Sequence, residues 1–217
     1  MLLKKIVKRC IKRKRVNAFK NSVTLLGDNY DFNENCHVKL SHGSTKEDVV
    51  FDDDVTILGG CSIISCHNGK IFIGKHSKLQ NNSINCVEKI EIGEYTAITP
   101  GVIITDNNNH PVNPEFRKFM RTTPHGSDAR SWIHSAHAPV KIGDNCWIGQ
   151  NSRIQKGVTI GDNSIIAANS VVTKSVPANC IAAGNPARIV KTDIDQIPAP
   201  TSCKEFNDYI ANKNASK

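Results

Sequence analysis

Aromatic residues are scarce in this chain: phenylalanine, tryptophan and tyrosine make up 6% of its 217 residues. That excludes a core built on large rings and suits a narrow interior filled by Ile, Val, Leu and small residues. No apolar run reaches the ~18 residues that a membrane-spanning helix needs. Positive charge runs through the first segment without an uninterrupted apolar core, so no signal peptide is expected there. The eight cysteines form no Cys-x-x-Cys pair and follow no regular spacing. This argues against a secreted disulfide framework and for reduced, buried thiols in a cytoplasmic protein.

Acidic residues are missing from the start of the chain. Lys4, Lys5, Lys8, Arg9, Lys12, Arg13, Lys14 and Arg15 are eight cations with no acid among them, and the whole chain has a net charge of +8. The remainder is therefore near neutral. With no basic face elsewhere and no interleaved aromatics, a nucleic-acid partner is excluded. Within residues 1–20, apolar pairs (Leu2–Leu3, Ile6–Val7, Cys10–Ile11) alternate with cationic pairs at about one helical turn, which predicts a basic amphipathic helix. Two readings of it stay open. Either it touches anionic lipid at the inner face of a membrane, or it packs its apolar stripe on the rest of the protein and leaves its charges in water.

What the sequence has is a six-residue period. From Val140 to Val176, large aliphatics recur at Ile142, Ile148, Ile154, Ile160, Ile166 and Val172. Three positions after the first five of these stand Asn145, Asn151, Gly157, Asn163 and Asn169, and four positions after stand the compact Cys146, Ser152, Val158, Ser164 and Ser170. Asn and Gly best tolerate a left-handed backbone. The unit reads as a short strand, a tight corner and the next short strand, stacked into a β-solenoid. Upstream, Ile92, Ile98 and Ile104 keep the period, and so do Ile57 and Ile63. Leu26–Asn29 reads as another corner. The step from Leu79 to Ile92 is thirteen rather than twelve, which calls for a bulge or a wider corner. Residues 21–190 are assigned to the solenoid and 191–217 to a tail.

Residues 105–139 interrupt the period with a polar, proline-containing stretch. Insertions of this length in a compact domain are usually functional, and this one is expected to project from one corner as an arm. His110 opens it beside the last regular coil. A histidine titrating near neutrality can take a proton from a hydroxyl, and Asp106 or a backbone carbonyl is expected to fix its tautomer.

Val140–Lys191 combines the repeat with Trp147–Gly149 (WIG), Ser170–Lys174 (SVVTK) and Gly184–Arg188 (GNPAR). It resembles the hexapeptide-repeat acyltransferases, in the branch of galactoside, maltose and polysaccharide O-acetyltransferases. The resemblance implies an all-β fold, a left-handed parallel β-helix with three six-residue sides per coil, usually assembled as a homotrimer. It also implies acetyl-CoA as co-substrate, lying in a groove between neighbouring subunits, with no metal. By position, the catalytic histidine is His110. The acetyl-CoA-binding residues are Trp147, Gly149, Lys156, Ala167, Ala168, Thr173, Lys174, Pro186 and Arg188, and Asp106 and Trp147 face the acceptor. Ala167–Ala168 stands where the family often has Gly-Ala. The implied activity is O-acetyl transfer to a sugar hydroxyl of a surface polysaccharide or glycan precursor. The alternative on the same scaffold is N-acetylation of an amino sugar or acetylation of a xenobiotic. His110, His125, His134 and His137 also raise the γ-class carbonic anhydrases, similar solenoids with three zinc-binding histidines. Here, however, three of the four lie in an irregular loop rather than on adjacent coils.

Overall fold

A computed structural model describes residues 2–215. From Thr24 to Ala182 the chain winds through stacked coils, each offering one short strand to each of three parallel faces. The first face stacks Leu25, Phe51, Ile73, Ile92, Ile142 and Ile160 in register, closed by a bridge from Ile160 to Val176. The second stacks Phe32, Ile57, Leu79, Ile98, Ile148, Ile166 and Ala182. The third stacks Val38, Ile63, Ile84, Ile104, Ile154 and Val172. The inward Ile142, Ile148, Ile154, Ile160 and Ile166 are all fully buried. Each such side chain contributes about 1.5–3 kcal/mol by leaving water.

The corners explain the period. Asn145, Asn151, Gly157, Asn163 and Asn169 all have positive φ, between 53° and 73°, as their residue types require. The compact residues that follow turn inward beneath the next coil. Ser152 Oγ donates to the Ala167 carbonyl (3.0 Å) and Ser164 Oγ to that of Pro177 (2.7 Å).

The irregularities concentrate at one corner. From the third face to the next first face, the steps Val38–Phe51, Ile63–Ile73, Ile84–Ile92, Ile104–Ile142, Ile154–Ile160 and Val172–Val176 are 13, 10, 8, 38, 6 and 4 residues. The other two corners keep steps of five to seven. The thirteen-residue step from Leu79 to Ile92 thus combines a shortened second corner (Leu79–Ile84) with a widened third corner (Ile84–Ile92). The long insertion is the extreme case of a corner that varies in nearly every coil.

The insertion does not stand clear as an arm. Its ends zip together: Asn107 bridges His137, Asn108 N–H donates to Ala136 (3.0 Å) and Ala138 N–H to Asp106 (2.9 Å). Between them lies helix α2, Pro114–Thr122, capped by Asn113 Oδ1 on Phe116 N–H (2.8 Å) with proline in the first turn. Two 3₁₀ turns follow, Asp128–Arg130 and Trp132–His134. They bring Ser131 to a hydrogen bond with His67 at the third corner of an earlier coil. His67 in turn stacks on His42 (4.6 Å between centroids).

Helix α1, Leu2–Asn21, closes the other end. Phe19 packs edge-on against Phe32 (5.0 Å) and Phe51 (5.9 Å). The scarce aromatics therefore plug the open mouth of the stack. Among its described side chains, Val16 and Phe19 pack on the core, while Ile6, Val7 and Ile11 stay exposed. At the far end, Ile181–Gly184 folds back antiparallel on Ala187–Lys191. Helix α3, Lys204–Ala215, follows and is exposed over its described side chains. No helix among the described residues is long and apolar enough to cross a membrane.

Candidate active site

Two separate clefts hold most of the residues singled out from the sequence. One runs along the corner between the second and third faces, over Thr99–Pro100, Gly149–Gln150 and Ala167–Ala168, with a volume of about 530 Å³. Trp147 stands on the outer side of the second face beside it, 54% exposed for so large a ring. Gly149 is obligatory: a Cβ there would meet Ala168 N and Ile166 O at 2.5 Å. The small side chains of Ala167 and Ala168 leave this wall of the cleft to backbone and methyl groups. Pro186, in the cis Asn185–Pro186 turn, and Arg188 follow the second-face strand Ile181–Gly184 and are exposed.

Lys156, Thr173 and Lys174 do not join that cleft. They lie at the third corner of two successive coils, on the far side of the third face. Lys156 sits next to the base of the insertion, where Gly157 N–H donates to Ala138 (3.1 Å). The residues assigned to acetyl-CoA thus fall on two corners of one chain.

His110 lies in the second cleft, about 310 Å³, between the insertion and the third-face edge of the first two coils. Its backbone N–H donates to the Asn108 carbonyl (2.7 Å). Its Nδ1 is buried with no partner, which leaves Nε2 as the nitrogen open to a ligand. Neither Asp106 nor a backbone carbonyl holds the ring, contrary to expectation. Asp106 is fully buried and spends its oxygens elsewhere. It accepts from the backbone N–H groups of Val87 (3.0 Å), Glu88 (2.7 Å) and Lys89 (3.0 Å), and from Asn107 Nδ2 (3.0 Å). A carboxylate so enclosed cannot meet an acceptor. It caps the widened third corner one coil away.

The buried cysteines are poorly suited to nucleophilic work. All eight are free, and six are buried. Burial pushes the thiols of Cys36, Cys66 and Cys146 up to about 11. Burial and the neighbouring Asp106 push Cys86 higher still. The loop histidines do not converge either. His134 Nε2 lies 3.0 Å from Asp128 and His137 Nδ1 2.9 Å from the Ser135 carbonyl. Among the described residues no three His, Cys, Asp or Glu side chains come together as metal ligands.

Several cleft residues carried no signal in the sequence. Arg130, Ser127 and Trp132 share the His110 cleft. Trp132 also lines an adjoining cleft over the third face with Asn85, Thr105, Arg153 and Gln155. Trp132, the second of only two tryptophans, was the one available clue.

Residues 139–174 match the family model described as bacterial transferase hexapeptide (six repeats). The solved structure of the hexapeptide-repeat-containing acetyltransferase VCA0836 from Vibrio cholerae is 30% identical over 64% of this chain and 70% of that one, with a TM-score of 0.51. WbbJ of Escherichia coli (strain K12), named for O-acetyl transfer in lipopolysaccharide biosynthesis, is 30% identical over 65% of this chain and 70% of its own length. The chain belongs to the hexapeptide-repeat acetyltransferases. Its three-faced stack is thus the left-handed parallel β-helix of that family. A further member, galactoside O-acetyltransferase of Escherichia coli (strain K12), is 40% identical over 47% of this chain. The chain spans only 43% of the galactoside enzyme's length.

Proposed function

We propose that this protein transfers an acetyl group from acetyl-CoA to a sugar hydroxyl of a surface polysaccharide or its precursor, with His110 as general base. The observation that carries this is His110 itself: Nδ1 is buried and Nε2 opens to a cleft large enough for a sugar residue. Two relatives named for O-acetyl transfer, to a galactoside and in lipopolysaccharide biosynthesis, favour a sugar acceptor. Acetyl-CoA would lie along the second-corner cleft, its pantetheine against Gly149, Ala167 and Ala168 and its thioester near Trp147.

His110 Nε2 takes the proton of the acceptor hydroxyl as the oxygen attacks the thioester carbonyl. The tetrahedral intermediate collapses, the C–S bond breaks, and the thiolate of CoA receives the proton from His110. The acetyl ester and free CoA leave, and no enzyme side chain is acylated. Because His110 and the Trp147 cleft occupy different corners of one chain, the complete site forms between chains of a homotrimer. Lys156, Thr173, Lys174, Pro186 and Arg188 would supply the cations and turns around the CoA phosphates and adenine.

We infer the location from α1. Its exposed Ile6, Val7 and Ile11 stand among Arg9, Lys12, Arg13, Lys14 and Arg15, of which Lys12 pairs with Glu34 (3.2 Å). Each cation near an anionic surface contributes about 1 kcal/mol. In this reading the protein is cytoplasmic and α1 rests on the inner face of the membrane. Sedimentation with anionic but not neutral vesicles is expected, and equal sedimentation with both would remove the placement.

The deciding test is acetyl transfer from acetyl-CoA to a panel of oligosaccharides, with products mapped by mass spectrometry. His110→Ala should lower kcat by about 10²–10⁴ with little change in acetyl-CoA affinity. Undiminished transfer by the variant would show that His110 is not the base.

A further inference from the structure

The cleft that holds His110 is lined by two full cations, Lys39 and Arg130, and by two further histidines, and no aspartate or glutamate lines it. Arg130 donates through Nε (3.1 Å) and Nη2 (2.9 Å) to the Thr123 carbonyl. That contact fixes the guanidinium in place without neutralising it. Among the described residues, neither Arg130 nor Lys39 has a carboxylate within 4.0 Å. Ser127 Oγ is buried at this cleft without a hydrogen-bond partner. Buried hydroxyls are nearly always satisfied, so this one is a donor held for something polar. Trp132 adds a flat apolar wall, suited to the C–H face of a sugar ring.

The charge here is not explained by the phosphates of acetyl-CoA. The cleft lies against the first two coils of the stack, whereas Lys156 and Thr173–Lys174, proposed for those phosphates, lie three and four coils beyond the second. At about 4.8 Å per strand spacing, that separation is roughly 14–19 Å along the axis. In the proposed reaction these cations are then left for the acceptor.

We propose that the acceptor is an acidic sugar: the residue that receives the acetyl group carries a carboxylate, held by Arg130 and Lys39 while its hydroxyl reaches His110. This rests on the acetyl-transfer reading and adds the class of acceptor to it. A planar carboxylate suits the guanidinium, which binds such groups edge-on with paired N–H donors. The cleft, at about 310 Å³, has room for one acidic sugar residue and little more.

The test uses the full-length protein and begins with calorimetric titration of CoA. Transfer from acetyl-CoA is then measured to tetragalacturonic acid and to a sialic acid tetramer, each beside its carboxyl-reduced counterpart, and to galactose 1-phosphate. At least one acidic tetramer should show a KM tenfold or more below that of its reduced form. Arg130→Gln should narrow that gap to under threefold. Because Arg130 also holds Thr123, Lys39→Gln, on a third-face strand, provides an independent check and should narrow the gap in the same direction. CoA binding combined with equal use of acidic and reduced tetramers, with no use of either acid, or with a preference only for the phosphate would overturn the proposal. A preference untouched by both substitutions would overturn it as well. Failure to bind CoA would instead remove the acetyl-transfer reading beneath it.

Discussion

Asp106 shows how far a single residue can be read from sequence. Its position four residues before His110 suggested a partner for the imidazole or the acceptor, yet its carboxylate is spent on backbone donors at Val87, Glu88 and Lys89. No sequence pattern announces those donors, because they come from the preceding coil, some twenty residues away. Removing Asp106 would leave several buried N–H groups without acceptors, each costing about 1–3 kcal/mol. Asp106→Ala is therefore expected to lower stability by about 3 kcal/mol or more, summed over those donors. A chemical-denaturation midpoint reads this directly, and a variant as stable as the parent would show that the cap is dispensable. His67 gives a pH signature. Burial and the adjacent His42 hold its pKa below the usual histidine value. The folded state therefore favours neutral His67, and the unfolded chain binds the proton more readily. This contribution to stability is whole above about pH 6.5 and is lost as pH falls from there to the lower folded pKa. His67→Gln should flatten the decline in melting temperature between pH 7 and 5, and an unchanged slope would assign the decline to other groups.

At the scale of elements, the coils were legible where corner and compact positions use the common residue types, and obscure where they do not. The downstream first corner runs Asn145, Asn163, Asn179, with Nδ2 of each donating to Oδ1 of the next at 2.9 Å. Upstream the same slot holds Asp54, His76 and Tyr95, all with positive φ. His76 bonds Asp54 at 2.6 Å and packs against Tyr95 at 4.7 Å. The positive-φ slot is kept from coil to coil while its residue types change, so the upstream coils look degenerate only as letters. The third corner was illegible for a different reason. Its length varies in nearly every coil, and its structure depends on contacts between coils, such as His67 with Ser131. Asn163 tests the ladder. Asn163→Ala places an ordinary side chain at φ 59°, at about 1–2 kcal/mol, and removes ladder bonds worth about 0.5–1.5 kcal/mol each. Asn163→Gly keeps the backbone conformation and loses only the bonds. Denaturation midpoints should therefore rank the parent first, Gly second and Ala last. An Ala variant equal to the parent would mean that the ladder contributes nothing.

For the whole molecule, the decisive feature is that one chain carries the two halves of the proposed site on different corners. His110 sits under the insertion at the third corner, and the Trp147 cleft follows the second. Corners on opposite edges of one face meet only when the second corner of one chain faces the third corner of the next. A closed head-to-tail ring provides that arrangement at every interface. The motifs named both halves and the family resemblance implied a groove between subunits; the fold adds the physical reason, since one chain keeps the halves on different corners. Mixing tests the arrangement. His110→Ala and Trp147→Ala chains, each expected to be inactive alone, are unfolded together and refolded at equal ratio. A site regains both groups when its histidine comes from a Trp147→Ala chain and its tryptophan from a His110→Ala chain. Random assembly makes about a quarter of the sites complete in this way. Transfer activity near a quarter of the parent value is expected from the mixture. A mixture as inactive as its components would place both groups of each site on one chain and break the proposed link between trimer and catalysis.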